Sequence, residues 1–167
     1  MNNRQNFSPP MQFESVLFDT GNTTLRGALK YIARHITAMT GTGEKDIFRI
    51  FQAQCENNGC LPENGLLILD HQLERLTRPF SLLYVPQKSL KQSGKVARRF
   101  ADMNETPVDV ICVYISPQFD GARHLQNLAA LTRFIGDENF LNDLKTCENA
   151  GEVRQMMKRQ NALRAAA

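Results

Sequence analysis

The chain has 167 residues, enough for one compact domain with a substantial core. Apolar residues make up 42% and charged residues 22%, the balance of a globular domain and not of a disordered chain. A net charge of +3 is too small to mark a nucleic-acid or membrane surface, and no apolar run approaches the roughly 20 residues that span a bilayer.

Residues 1–12 read as a flexible polar tail with two prolines and no apolar stretch of the secretory kind, so a cytoplasmic protein is expected. Residues 13–18 read as a short strand or extended entry. Asn22 or Thr23 can cap a first helix whose apolar stripe is Leu25, Ala28, Leu29, Ile32, Ile36 and Met39. His35 lies at the boundary of that stripe, and its position alone does not make it a ligand. Gly41 and Gly43 break the pattern, and a second helix follows over residues 44–56, burying Ile47, Phe48, Ile50 and Phe51. Residues 57–65 form a loop rich in Asn and Gly.

Two short apolar runs, residues 66–69 and 80–85, are buried-strand candidates, and residues 86–106 carry no assignable pattern. Residues 108–115 form the strongest strand, rich in Val and Ile, and Ser116-Pro117 ends it. Three helices close the chain. The first spans residues 122–135, with Leu125, Leu128, Ala129, Thr132 and Ile135 on its inner face. The second spans 138–145, and Asn149 caps a third that runs through Met157. Residues 158–167 form a basic, alanine-rich tail. The expected fold is a three-layer α/β/α sandwich around a mixed sheet of about four to five strands, with the domain proper at residues 13–157.

Cys112 lies in an apolar run and reads as a core residue. Cys55 and Cys60 have no second pair of ligands, and a structural metal site needs four that converge, so neither a metal nor a cofactor is expected. Lys91, Lys95, Arg98 and Arg99 form a basic run that reads as a solvated face. A nucleic-acid-binding module built on residues 88–99 and the basic tail is the weakest reading, because no aromatic stacking pair accompanies the charges.

Residues 107–157 place Pro107-Val108-Asp109, the long strand, Ser116-Pro117, His124-Leu125, an apolar helix and a short acidic turn in one order. In that order and spacing the segment resembles the fructose/mannitol/nitrogen type of IIA domain of the bacterial phosphotransferase system. Asn64-Gly65 and the first two helices extend the resemblance over residues 13–157. It implies a domain that takes phosphate from a histidine phosphocarrier protein. It also implies a regulatory target protein as partner, since no transporter domain is attached; the oligomeric state stays open.

The resemblance also locates a degenerate reactive motif. From Gly65 without gaps, the reactive proline falls on Leu69 and the phosphate-accepting histidine on Asp70. A one-residue slide puts it on His71, at the cost of an insertion and a deletion, and turns the side chain to the opposite face of a strand. The ungapped match to an arginine that these domains carry upstream of the reactive histidine is Gln54, and a second pocket histidine of these domains is matched by His124. Asp70 can make no phosphohistidine, but it carries a permanent charge that imitates one weakly. Two readings follow: a regulatory IIA-like protein without phosphotransfer that acts by binding a partner, or a working phosphocarrier that uses His71. A third, bland reading is that Asp70 is a turn residue behind a strand.

Overall fold

The computed structural model describes residues 13–56, 64–91 and 107–166. The expected N-terminal tail, most of the loop after the second helix and the basic run beyond Lys91 lie outside these residues.

The described elements run β1 (Ser15–Asp19), α1 (Leu25–Thr40), α2 (Glu44–Glu56), β2 (Leu66–Leu73), β3 (Phe80–Pro86), β4 (Val110–Pro117), α3 (Gly121–Ile135), α4 (Glu138–Thr146) and α5 (Ala150–Ala166). The sheet has the order β1-β3-β4-β2. The β1–β3 and β2–β4 pairs are parallel and the β3–β4 pair is antiparallel, so the sheet is mixed. Because side chains alternate across a strand, β4 divides its residues between two cores. Ile111, Val113 and Ile115 meet α1 and α2. Val110, Cys112 and Tyr114 meet α3, α4 and α5. The result is the expected α/β/α sandwich. A strand buried on both faces reads as a continuous apolar run, which is why β4 was the plainest strand in the sequence.

Helix ends follow local chemistry. Thr24, not Asn22 or Thr23, caps α1 by accepting from the Gly27 N–H, and Gly41 closes it in the left-handed region at φ 73°. Asp137 caps α4 through the Phe140 N–H. Asn149 caps α5 by accepting from the Glu152 N–H at 3.0 Å. That helix continues through residues read as a tail, to Ala166.

Three expectations are corrected. β2 does not stop at Leu69 but runs on to Leu73, so Asp70 and His71 lie within a strand and not in a turn behind it. The apolar count also misplaces the inner face of α3: Leu125 is 67% exposed, while His124, Leu131, Phe134 and Ile135 are buried. Met39, at the end of the α1 stripe, is likewise exposed.

The entry into β2 is the tightest point of the backbone. Asn64 and Gly65 take positive φ angles of 52° and 81°. The Gly65 carbonyl accepts from both the Asp109 N–H (2.7 Å) and the Val110 N–H (3.1 Å). A Cβ on Gly65 would stand 2.3 Å from Asp109 Oδ2, and that carboxylate is already held by Lys145 Nζ at 2.8 Å and bonded to the Ser89 hydroxyl. Gly65→Ala therefore combines a left-handed side chain with a displaced ion pair. It is expected to lower stability by about 2 kcal/mol or more, whereas Asn64→Gly, at a mildly strained position, should be close to neutral. Urea unfolding of the two variants checks this; equal stability of Gly65→Ala and the unsubstituted chain would show that the turn relaxes freely.

Candidate functional site

The register of β2 on β4 pairs Asp70 with Tyr114 and His71 with Ile115. Asp70 therefore points to the layer of α3, α4 and α5. His71 lies on the other face, between Leu69 and Leu73, both of which belong to the core under α1 and α2. The one-residue difference between the two candidate acceptors is thus a difference of layer.

β4 ends at Ser116-Pro117, and a turn closed by the Asp120 N–H on the Pro117 carbonyl (3.2 Å) leads into α3. His124 stands in the first turn of that helix, its N–H donating to the Asp120 carbonyl at 2.7 Å. From there the imidazole turns inward over the end of the sheet. Its Nε2 lies 2.8 Å from Asp70 Oδ2, so residues 54 apart in sequence meet side chain to side chain. The histidine side chain is 7% exposed and the aspartate 40%, so the carboxylate is the member that solvent reaches. His124 Nδ1 lies 2.7 Å from Ser116 Oγ, a hydroxyl with no exposure. The Tyr114 ring lies beside the imidazole, centroid to centroid 5.2 Å, and its hydroxyl accepts from Asn127 Nδ2 at 2.9 Å. Burial raises the Tyr114 phenol above its ordinary value despite that hydrogen bond, so it stays neutral.

Gln54 approaches from α2. Its Nε2 donates to the Asp70 carbonyl at 2.6 Å. β2 is the last strand of the sheet order, and this amide satisfies a main-chain carbonyl of that edge strand. Asp70, His124 and Gln54 are therefore brought together, with His71 on the reverse side of the strand. Burial holds the His71 imidazole below its ordinary value; the Asp70 charge opposes this and His124 adds to it. His35 hydrogen-bonds Ser15 Oγ through Nε2 at 3.0 Å, tying α1 to β1 and away from this cluster.

Ser116 is the residue that sequence reasoning missed. In the sequence it marks the end of a strand and one step of the motif order, with no site role, yet it shares the alternation of Val110, Cys112 and Tyr114 and so faces the same layer as His124. A Ser, a His and an Asp in one chain of hydrogen bonds invites comparison with a hydrolase triad. The exposure runs the wrong way: the hydroxyl is sealed and the carboxylate is open, so nothing attacks a substrate from Ser116. Among the described residues no group of three or more His, Cys, Asp or Glu side chains is arranged to hold a metal. Cys55 and Cys112 are buried, and Cys60 lies outside the described residues.

The comparisons with known proteins agree with this fold. Residues 89–160 match the family described as phosphoenolpyruvate-dependent sugar phosphotransferase system, EIIA 2. A nitrogen regulatory protein of Bradyrhizobium diazoefficiens is 22% identical over 130 residues, covering 78% of this chain and 80% of that protein. The crystal structure of the nitrogen regulatory protein IIA-Ntr from Neisseria meningitidis superposes with a TM-score of 0.67 at 17% identity, over 86% of this chain and 92% of the other. The IIA mannitol domain of Escherichia coli gives a TM-score of 0.58 at 11% identity, over 86% and 94%. In its fold and in the sequence of its C-terminal half, the chain is similar to phosphotransferase-system IIA domains of the fructose, mannitol and nitrogen type.

Proposed function

We propose that this chain is a nitrogen-type IIA-like regulatory protein that carries a permanent carboxylate in place of a phosphorylatable histidine and acts by binding a partner protein in the cytoplasm. The observation that carries the reading is the Asp70–His124 contact at 2.8 Å. The ungapped motif match assigns the acceptor role to the residue that touches the second pocket histidine, and that residue is an aspartate. A carboxylate is acceptor-only, so it occupies the imidazole's hydrogen bond much as a phosphoryl oxygen would, with about half the charge. Gln54 supports the same reading. At the position matched to an arginine it offers a neutral amide and spends it on a main-chain carbonyl, so it brings no cation to neutralise a phosphoryl group. Phe119 and Leu125, on either side of His124 in sequence, are large apolar side chains that stand exposed, which suits a contact surface beside the pocket.

The alternative acceptor, His71, has one point in its favour. Its lowered pKa keeps the imidazole neutral at pH 7, the nucleophilic form. Against it, the Asp70 charge acts on this ring, and a phosphoryl group of nearly two negative charges near Asp70 would be repelled.

The lowered His71 value has a consequence for stability. In the folded chain the ring binds a proton less readily than its ordinary value of 6.5; unfolding restores that value. Below about pH 6.5 the unfolded chain therefore holds more protons, and stability falls as the pH drops from there through the folded-state value. The urea midpoint should fall between about pH 7.5 and about pH 5.5, and fall less in His71→Gln, where this slope is removed. An identical fall in both proteins would assign the acid sensitivity to other groups.

The functional test is incubation with enzyme I, a histidine phosphocarrier protein and phosphoenolpyruvate, followed by intact mass. The unsubstituted chain should show no stoichiometric gain of about 80 Da. Asp70→His alone should take up little phosphate and Asp70→His with Gln54→Arg clearly more, because groups that act as a unit do not add. A stoichiometric gain on the unsubstituted chain that His71→Ala abolishes would make His71 the acceptor and overturn the proposal. A gain abolished by Asp70→Asn and released by hydroxylamine would overturn it differently, by making Asp70 an acyl-phosphate acceptor.

A further inference from the structure

We infer that Ser116 is a positioning residue that locks the His124 ring, in one orientation and one tautomer, with its Nε2–H aimed at the carboxylate of residue 70. This rests on the pocket reading proposed above. Two contacts carry it: Ser116 Oγ to His124 Nδ1 at 2.7 Å and His124 Nε2 to Asp70 Oδ2 at 2.8 Å.

The ionised Asp70 carboxylate has no hydrogen to give, so the hydrogen between it and the ring must sit on Nε2. The neutral ring then presents a bare Nδ1, and among the described residues its hydrogen-bond partner is the Ser116 hydroxyl, which donates. If the ring takes a second proton, Nδ1–H becomes the donor and the same hydroxyl accepts, its own hydrogen turning to the Pro117 carbonyl 3.5 Å away. A hydroxyl serves both cases, whereas an amide or an alkyl group serves one or neither. Flipping the ring by half a turn would exchange each nitrogen for a carbon and break both hydrogen bonds. Ser116 therefore selects the orientation and the tautomer together.

Burial makes the selection effective. Ser116 has no exposure and the histidine side chain 7%, so water does not replace either partner at Nδ1. The serine itself is fixed by the last residues of β4, where it is paired with Gln72 of β2, two residues beyond the Tyr114–Asp70 pair on the same face of both strands. The hydroxyl that sets the ring and the carboxylate that receives its hydrogen are thus held by one parallel ladder. The pocket offers a fixed donor and is matched to an acceptor at residue 70, whether that acceptor is a carboxylate or the oxygen of a phosphoryl group.

The test is nitrogen-15 NMR of the imidazole of His124 in the full-length protein, recorded above the titration of the ring. In the unsubstituted protein Nε2 should carry the hydrogen and Nδ1 should read as a bare acceptor. In Ser116→Ala the ratio of the two tautomers should move toward the Nδ1–H form by about fivefold, the equilibrium worth of one net hydrogen bond. Ser116→Thr, which keeps the hydroxyl, should restore the original pattern. A bare Nε2 in the unsubstituted protein would overturn the inference, as would a Ser116→Ala spectrum identical to it. If Ser116→Ala does not fold, Ser116→Cys replaces it: a weak donor of similar size should give a partial shift, and no shift counts against the inference. Because the readout is the protonation of one nitrogen and not phosphate uptake, the phosphate proposal and this one fail separately.

Discussion

The registration of β2 on β4 governs everything that happens at the pocket. It is set where the chain enters β2, by one carbonyl: Gly65 accepts from two successive N–H groups at the entry to β4, Asp109 and Val110. From that point the pleat counts residues two by two. Leu66, Ile68 and Asp70 fall to one layer and Leu67, Leu69, His71 and Leu73 to the other. A slip of one residue would carry Asp70 into the core under α1 and α2 and bring His71 to His124. Such a slip would also move Leu67, Leu69 and Leu73 out of the enclosed core under α1 and α2 to the layer where Ile68 and Asp70 are only half-buried, and so expose part of their apolar surface. The apolar residues of the strand thereby decide which polar residue is presented.

Much of this was legible in the sequence because burial leaves a period. The α1 and α2 stripes, the continuous run of β4 and the glycine before β2 are all direct consequences of where side chains must point. The pocket side was less legible for the same reason. In β2 the apolar run stops at Leu69, yet the strand continues through Asp70, His71 and Gln72, because the ladder with β4 is made by main-chain groups that do not depend on polarity. In α3 the inward position of the first turn is taken by His124, so a count of apolar residues rotates the helix onto Leu125 and buries the wrong face. Ser116 left no apolar signal at all. A polar residue that keeps the alternation of a buried strand is the trace that such a site leaves.

The chemistry of the pocket follows from unequal exposure. His124 is enclosed and held at both nitrogens, while Asp70 is open on one side. An enclosed ring with two fixed partners pays little reorganisation when a charge is placed beside it, since its dipole already points there. A partly exposed carboxylate keeps most of its hydration, so its charge is available at the surface without the several kcal/mol that full burial would cost. The arrangement can therefore hold a negative charge permanently at a surface-reaching position.

A permanent charge has different uses from a transferable one. A phosphoryl group comes and goes, and a protein that reads it has two states; on the proposed reading, Asp70 leaves one. The geometry around it fits that simplification. Gln54 donates to a main-chain carbonyl, and Gly65, Asp109 and Lys145 brace the strand entry with a hydrogen-bonded turn and a 2.8 Å ion pair. Each of these contacts stiffens the strand that carries the acceptor position, and none of them is a group that must move when charge arrives. A carrier has to admit a donor, take a doubly charged group and release it, which favours cations and main-chain amides left free to rearrange. A surface with a fixed carboxylate needs only to be rigid and reachable. The described contacts of this pocket serve rigidity: His124 is held at both nitrogens, and the Asp70 carboxylate that it meets is reached by solvent.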